Sequence, residues 1–270
     1  MTNLNPTSNS TRLLDMTGKK GLIVGIANEH SLAWAAAQNC HAAGAELAVT
    51  YLNDKARPYV EPLAKSLGAP IILPCDVSRD GQLETVFEAI TQTWGQLDFL
   101  VHSIAWAPMA DLHGRLTDCS AEGFAQAMQI SCHSFIRMAK LAEPLMAQGG
   151  SLTTLSFFGA EKVVEHYSLM GPVKAALEAS VRYLAHELGP KGIRVNAISA
   201  GAVKTRAASG IEHFDELIHE TETKSPLRRT VTTDEVGRAA LLLASGHTTG
   251  ITGEILHVDA GLHIDGMIFH

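Results

Sequence analysis

The stretch Lys20-Gly21-Leu22-Ile23-Val24-Gly25-Ile26-Ala27-Asn28-Glu29-His30-Ser31-Leu32-Ala33 decides the fold. It opens as a short apolar, β-prone run and passes through a tight turn into a segment of helical period, so a strand feeds directly into a helix. The same alternation then repeats to the C-terminus. Strands are expected over residues 21–24, 46–51, 70–74, 99–103, 151–156, 194–198 and 254–258, and helices over 32–43, 57–67, 82–94, 121–146, 166–188 and 233–244. Gly44, Gly68, Gly95 and Gly189 close four of these helices, where a left-handed residue is least costly. Each helix is long enough to carry the chain over to the next parallel strand. The pattern therefore predicts a doubly wound α/β fold, seven parallel strands with helices on both faces. One domain is expected over residues 17–270, after a flexible tail over 1–16. A long insertion at about 202–229 would overhang the carboxyl ends of the strands, where such sheets bind ligands.

Composition removes several classes of function. With 270 residues, 46% of them hydrophobic, the chain can bury a full core, which excludes disorder and coiled coil. A net charge of −7, from 21 basic and 28 acidic side chains with no block of five like charges, disfavours nucleic acid and anionic membrane as partners. No apolar run reaches bilayer length, and residues 1–15 lack the apolar centre of a signal peptide. The cysteines at 40, 75, 119 and 132 form no CxxC pair, which fits free thiols in the cytoplasm. The 13 histidines show no H-E-x-x-H or other ligand spacing, so no metal is expected, and no G-x-S-x-G elbow supports a serine nucleophile.

Three places carry candidate chemistry. Gly25 and Ser31-Leu32 bracket a turn that feeds a helix, whose free N–H groups can hold a pyrophosphate. Only Gly25 remains of a G-x-G-x-x-G pattern, and an ordinary strand-turn-helix reads the same way. Asp76-Val77 offers either a carboxylate for an adenine amino group or a cap for the next helix. Tyr167 and Lys174 lie seven residues apart on one expected helix, so both project from the same face, about 10 Å apart along its axis. A phenol with an ammonium nearby, favouring the phenolate and anchoring ribose hydroxyls, suits stabilisation of an oxyanion formed by hydride addition. Four tyrosines and ten lysines give about 0.15 such spacings by chance, and this one opens the helix after the fifth strand.

Together these residues resemble the short-chain dehydrogenase/reductase superfamily, and within it the divergent branch of bacterial enoyl-acyl carrier protein reductases. The likeness runs from about residue 18 to 267, through Ala48-Val49-Thr50-Tyr51, Val101-His102-Ser103-Ile104-Ala105, Leu155-Ser156-Phe157-Phe158-Gly159, Tyr167-Ser168-Leu169-Met170-Gly171 and Arg194-Val195-Asn196-Ala197. The five residues between Gly25 and Ser31, in place of a glycine fingerprint, are typical of that branch. The resemblance implies a Rossmann-like sheet in a homotetramer. It also implies delivery of hydride from NADH to the β-carbon of a trans-2-enoyl thioester, carried on acyl carrier protein or coenzyme A, giving an enolate that is protonated at the α-carbon. Tyr167 would hydrogen-bond the thioester oxygen and Lys174 would hold the nicotinamide ribose. Gly25, Ser31, Leu32, Asp76, Val77, Ser103, Ala105, Val203 and Thr205 would line the cofactor cleft. Ala107, Phe157, Met170 and Phe214 would line the acyl pocket beneath a helix after Thr205, although plain core packing accounts equally well for Met170 and Phe214. NADH is expected in preference to NADPH, because Tyr51-Leu52-Asn53-Asp54 places no arginine directly after the strand to receive a 2′-phosphate; Lys55 and Arg57 stand a few residues on.

The chain departs from these relatives at named positions. Ser156-Phe157 stands for the Ser-Tyr pair of most of them, and Ala105 for a glycine, which would narrow the pocket. Leu52, Ala202 and Ala260 replace a polar residue, a proline and a glycine. Glu212, Asp215 and Glu216 put carboxylates on a helix where some relatives carry cations that could meet an acidic carrier. Lys204, Arg206, Arg228 and Arg229 could take over that docking, and a solvated helix face is the alternative reading. Two other functions stay open. A 3-oxoacyl or other carbonyl reductase usually has asparagine where Ser131 stands; a non-catalytic dinucleotide sensor would not need both Tyr167 and Lys174.

Overall fold

A computed structural model describes residues 14–203, 205 and 214–265. β1 (Lys20–Val24) is buried on both faces from Gly21 onward, and so reads as a continuous apolar run rather than an alternation. It is followed by α1 (Leu32–Ala42), β2 (Glu46–Tyr51), α2 (Arg57–Ser66), β3 (Ile71–Pro74), α3 (Gln82–Thr93) and β4 (Phe99–His102). A single turn, α4 (Met109–Leu112), leads to α5 (Ala121–Met128), α6 (Ser134–Ala142), β5 (Gly150–Phe157), α7 (Met170–Leu188) and β6 (Ile193–Ala200). α8 (Phe214–Lys224), α9 (Thr233–Ala244) and β7 (Ile255–Val258) complete the chain. The strands lie in the order β3-β2-β1-β4-β5-β6-β7, all parallel. The chain thus winds one way from β1 to β3 and the other way from β4 to β7. Their separation leaves a switch point between β1 and β4, where such sheets open a crevice.

Two apolar layers hold the helices to the sheet. On one face α1, α2 and α9 pack through Trp34, Val60 and Val236; on the other α3, α6 and α7 pack through Phe87, Phe135 and Leu177. Each large side chain buried there contributes about 1.5–3 kcal/mol. α1 and α9 approach so closely that a Cβ on Gly237 would lie 2.6 Å from the Ala35 carbonyl oxygen. A capping box opens α9: Thr232 accepts from the Glu235 N–H, and the Glu235 carboxylate accepts from the Thr232 N–H. Arg229 adds two hydrogen bonds to Glu235, at 2.9 and 2.7 Å, and these first of all hold that carboxyl down at about 2.

Three expected boundaries are corrected. The tail expected over 1–16 enters the core before its end, since Met16 is buried and its N–H donates to the Ala43 carbonyl at 2.9 Å. The helix expected over 121–146 is broken by a π turn, Gln129–His133, between α5 and α6. Two hydroxyls mark the break: Ser134 donates to the Ile130 carbonyl at 2.6 Å, while Ser131 turns away to another segment. The helix expected over 166–188 begins at Met170, because His166 has φ +63 and ends the helical path upstream. The insertion at 202–229 carries α8.

Ala260, in place of the usual glycine, sits at φ +61 in the turn after β7. A β-carbon there costs about 1–2 kcal/mol, which the extra freedom of glycine in the unfolded chain offsets only in part. Ala260→Gly is therefore expected to stabilise the fold by about 0.5–1 kcal/mol, raising Tm by about 2 °C. An unchanged or lower Tm by calorimetry would show that the turn bears no strain.

Candidate active site

The crevice is built first by backbone. Gly25 leaves β1 at φ +104, and a Cβ on it would lie 2.1 Å from the Ser103 carbonyl oxygen at the end of β4. Only a glycine lets these two strand ends close on each other, and the Ser103 N–H donates to the Val24 carbonyl at 2.9 Å. The chain then turns through Asn28 into α1. Ser31 stands at its N-cap, but its hydroxyl folds back to the Asn28 carbonyl at 2.6 Å and makes no cap hydrogen bond. The first turn of α1 carries no acidic residue, so Leu32 and Ala33 present N–H groups at the positive end of a helix with no carboxylate of that turn to answer them. That end, beside a switch point and a glycine that admits close approach, fits the pyrophosphate of a dinucleotide.

Asp76 does not cap the helix that follows it. Its carboxylate accepts from the Ser78 N–H at 3.0 Å and the Ser78 hydroxyl at 2.6 Å, with Arg79 at 3.4 Å; it closes its own turn, while Gly81 is the N-cap of α3. The Val77 side chain goes into the core, and its carbonyl accepts from Arg137 at 3.1 Å, so the side chain does not line the crevice. Val203 and Thr205 follow β6 and are half-buried, Ala105 is exposed at the mouth, and Leu32 packs partly against the core. Phe214 opens α8 with a side chain outside the described residues, as are Glu212, Lys204 and Arg206. Of the cations expected near the mouth, Arg229 is committed to Glu235 and Arg228 to the Thr223 carbonyl.

The side chains expected to react lie beyond β5. Tyr167, Met170 and Ala107 share a small apolar cluster, against which Phe157 packs. Tyr167 lies just ahead of α7 rather than on it, yet its carbonyl accepts from the Gly171 N–H at 3.0 Å, keeping helical spacing toward Lys174. The Tyr167 ring is 7% exposed and meets Phe157 edge-on, with centroids 4.8 Å apart. Burial first, and then the Glu178 carboxylate, push the Tyr167 phenol well above its ordinary range. This corrects the expectation that Lys174 favours a phenolate: at neutral pH Tyr167 is a hydrogen-bond donor. Lys174 is 4% exposed, donates to the Leu155 carbonyl at 2.6 Å, and is brought down to about 8 by burial.

Three more buried residues lie near this pair, of which His102 and Glu178 were not singled out from sequence. Ser131, in the π turn, accepts from the Trp106 N–H and donates to the Trp106 carbonyl, both at 2.8 Å, fixing the backbone between Ala105 and Ala107. His102 lies fully buried between Ser134 and Thr154, with oxygens 2.8 Å from each ring nitrogen. The Ser134 hydroxyl proton is already committed to Ile130, so His102 donates from Nε2 and accepts from Thr154 at Nδ1. Burial, with Lys174 second, brings the imidazole down to about 3, so it stays neutral. Glu178 accepts from the Ser156 hydroxyl at 2.5 Å. A Lys-x3-Glu spacing on an expected helix was the available signal for Glu178, but it ordinarily marks a surface pair.

Comparison with known proteins gives a consistent result. Residues 25–263 match the family described as Enoyl-(Acyl carrier protein) reductase. The chain is 50% identical over 252 residues to the enoyl-acyl-carrier-protein reductase (NADH) 1 of Rhizobium meliloti (strain 1021), covering 93% of each sequence. Among solved structures, an enoyl-(acyl-carrier-protein) reductase from Anaplasma phagocytophilum in complex with NAD aligns with TM-score 0.90 and 52% identity, over 93% of this chain and 96% of that one. The Bacillus cereus enoyl-acyl carrier protein reductase with NADP+ and indole naphthyridinone aligns with TM-score 0.91 and 44% identity, over 94% and 100%. A match along nearly the whole length, in sequence and in backbone, places the chain in the enoyl-(acyl carrier protein) reductase family.

Proposed function

We propose that the chain reduces a trans-2-enoyl thioester to the saturated acyl thioester with NADH, and that Tyr167 and Lys174 carry the protein's part in the reaction. The observation that carries the assignment of roles is Tyr167 itself: a buried neutral phenol in a small apolar cluster, on the chain segment that leads into Lys174. When bound, the nicotinamide supplies hydride for the substrate β-carbon. Tyr167 donates a hydrogen bond to the thioester oxygen and stabilises the charge that develops there. The Lys174 ammonium holds the ribose hydroxyls, and the first turn of α1 holds the pyrophosphate. Ala107, Phe157 and Met170 exclude water around the acyl chain.

Preference for NADH is supported at the end of β2. Arg57 pairs with Glu61 at 2.5 Å, which Lys65 also meets at 2.7 Å, so Arg57 is not directed at a ribose phosphate. On the same reading the thioester is carried by acyl carrier protein or coenzyme A, and neither nucleic acid nor membrane is a partner. The catalytic domain includes Met16, which is already in the core, and the insertion at about 202–229 binds substrate. On the same reading it works as a cytoplasmic homotetramer; Tyr183 of α7, 74% exposed beside Ile136 of α6, is apolar surface that a second copy could cover. Among the described residues no helix is long and apolar enough to cross a membrane.

NADH absorbance followed with crotonyl-CoA, a longer enoyl thioester and a 3-oxoacyl thioester tests the assignment. Oxidation is expected with the enoyl substrates alone. kcat/KM should favour NADH over NADPH about tenfold or more, the worth of a missing charge-assisted contact of about 1.5–3 kcal/mol. Turnover of the 3-oxoacyl substrate would reassign the chain to carbonyl reduction.

A further inference from the structure

Lys174 and Glu178 are four residues apart on α7, both nearly inaccessible at 4% and 5% exposure. They grip consecutive residues of β5: Lys174 donates to the Leu155 carbonyl at 2.6 Å, and Glu178 accepts from the Ser156 hydroxyl at 2.5 Å. The next residue, Phe157, packs its ring against Tyr167. We propose that Glu178 is a positioning residue of the reaction: a buried counter-charge one helical turn from Lys174 that favours its ammonium form without touching it. A buried carboxylate is a costly way to fill a core, and leucine there would pack at lower cost, so its presence beside a buried cation calls for a role in charge.

The groups facing this pair come from every neighbouring element. Ser156 is on β5, Glu161 follows β5, and His257 on β7 pairs with Glu161 at 2.9 Å. Arg182 is on α7, Cys132 in the π turn, His102 on β4, and Tyr167, whose phenol the Glu178 charge also raises, lies just ahead of α7; the lysine signal therefore reads Lys174 apart from Tyr167. Burial raises the Glu178 carboxyl and Glu161 adds to this, while Ser156, His257 and Arg182 oppose it. Burial lowers Lys174, and Glu178 is the first group to oppose that. Removing the Glu178 charge leaves burial less opposed, so Lys174 loses its proton at lower pH.

The proposal rests on Lys174 acting at the reacting centre, and its test separates the two. The Lys174 titration is read in the full-length, cofactor-free enzyme by NMR of lysine labelled with carbon-13 at Cε, assigned with Lys174→Arg. In Glu178→Gln, whose amide oxygen still accepts from Ser156, the midpoint is expected to fall by about one pH unit. The alkaline limb of kcat for crotonyl-CoA should move down equally. Glu178→Asp, with its charge set back by one methylene, should restore most of both, and gives the reading if the glutamine variant does not fold. A midpoint that stays in place in a folded variant overturns the proposal and leaves Glu178 as packing. An alkaline limb that persists in Lys174→Arg instead overturns the role of Lys174, whatever Glu178 does.

Discussion

Tyr167→Phe is expected to lower kcat on an enoyl thioester by about 10²–10³-fold while NADH binds with nearly unchanged affinity. The expected size is that of removing one donor aimed at a developing oxyanion. Its asymmetry follows from when the contact matters: the phenol meets a full negative charge only as hydride arrives, so its loss falls on the transition state rather than on the ground-state complex. Phe157 sharpens the test. With phenylalanine where most relatives carry a second tyrosine, Tyr167 is the one phenol in the apolar cluster among the described residues. Removal of the hydroxyl leaves the edge-on packing of the two rings intact, so stability should change little. Fluorescence titration with NADH beside steady-state kinetics reads both parts. Near-normal turnover would remove Tyr167 from the oxyanion role, and a parallel loss of NADH affinity would make it a cofactor contact.

The architecture was legible because buried parallel strands write themselves as apolar runs. Val101 and its neighbours in β4 could be little else, and the helices between strands had the length a crossover needs. What was not legible depended on contacts far apart in sequence. A π turn leaves the apolar period of a helix almost undisturbed, so residues 121–146 read as one helix; the hydroxyls that reveal the break, on Ser131 and Ser134, point to partners visible only in the fold. Asp76 showed two readings with one spelling, and the structure removes the helix cap, because Asp76 closes a turn with Ser78 while Gly81 stands at the N-cap of α3. Tyr167 and Lys174 were found by their spacing and by their place after the fifth strand, but the charge state of Tyr167 was misjudged. Sequence places the ammonium nearby and says nothing of the burial and the Glu178 carboxylate that outweigh it.

The other large effect belongs to Gly25→Ala. A methyl there would sit 2.1 Å from the Ser103 carbonyl oxygen and 2.6 Å from its carbon, at a backbone φ of +104 that side chains avoid. Backbone does not swing aside as a flexible side chain does, so the ends of β1 and β4 must part. The 2.9 Å hydrogen bond from the Ser103 N–H to Val24 lies in the path of that movement. Strain of about 1–2 kcal/mol and overpacking of about 1–3 kcal/mol together make a loss of about 2–5 kcal/mol. The loss is concentrated where the pyrophosphate must approach, so NADH affinity should fall by about tenfold or more beyond any general destabilisation. Gly68→Ala is the control, because Gly68 also has positive φ, +62, but a Cβ there meets nothing within 4 Å and the residue lies at the far end of α2. It should lose about 1 kcal/mol of stability and no affinity. Calorimetric titration of both variants with NADH decides the matter. If Gly25→Ala bound the cofactor as tightly as Gly68→Ala, the crevice between β1 and β4 could not be the dinucleotide site, and the free N–H groups of α1 would have to serve another anion.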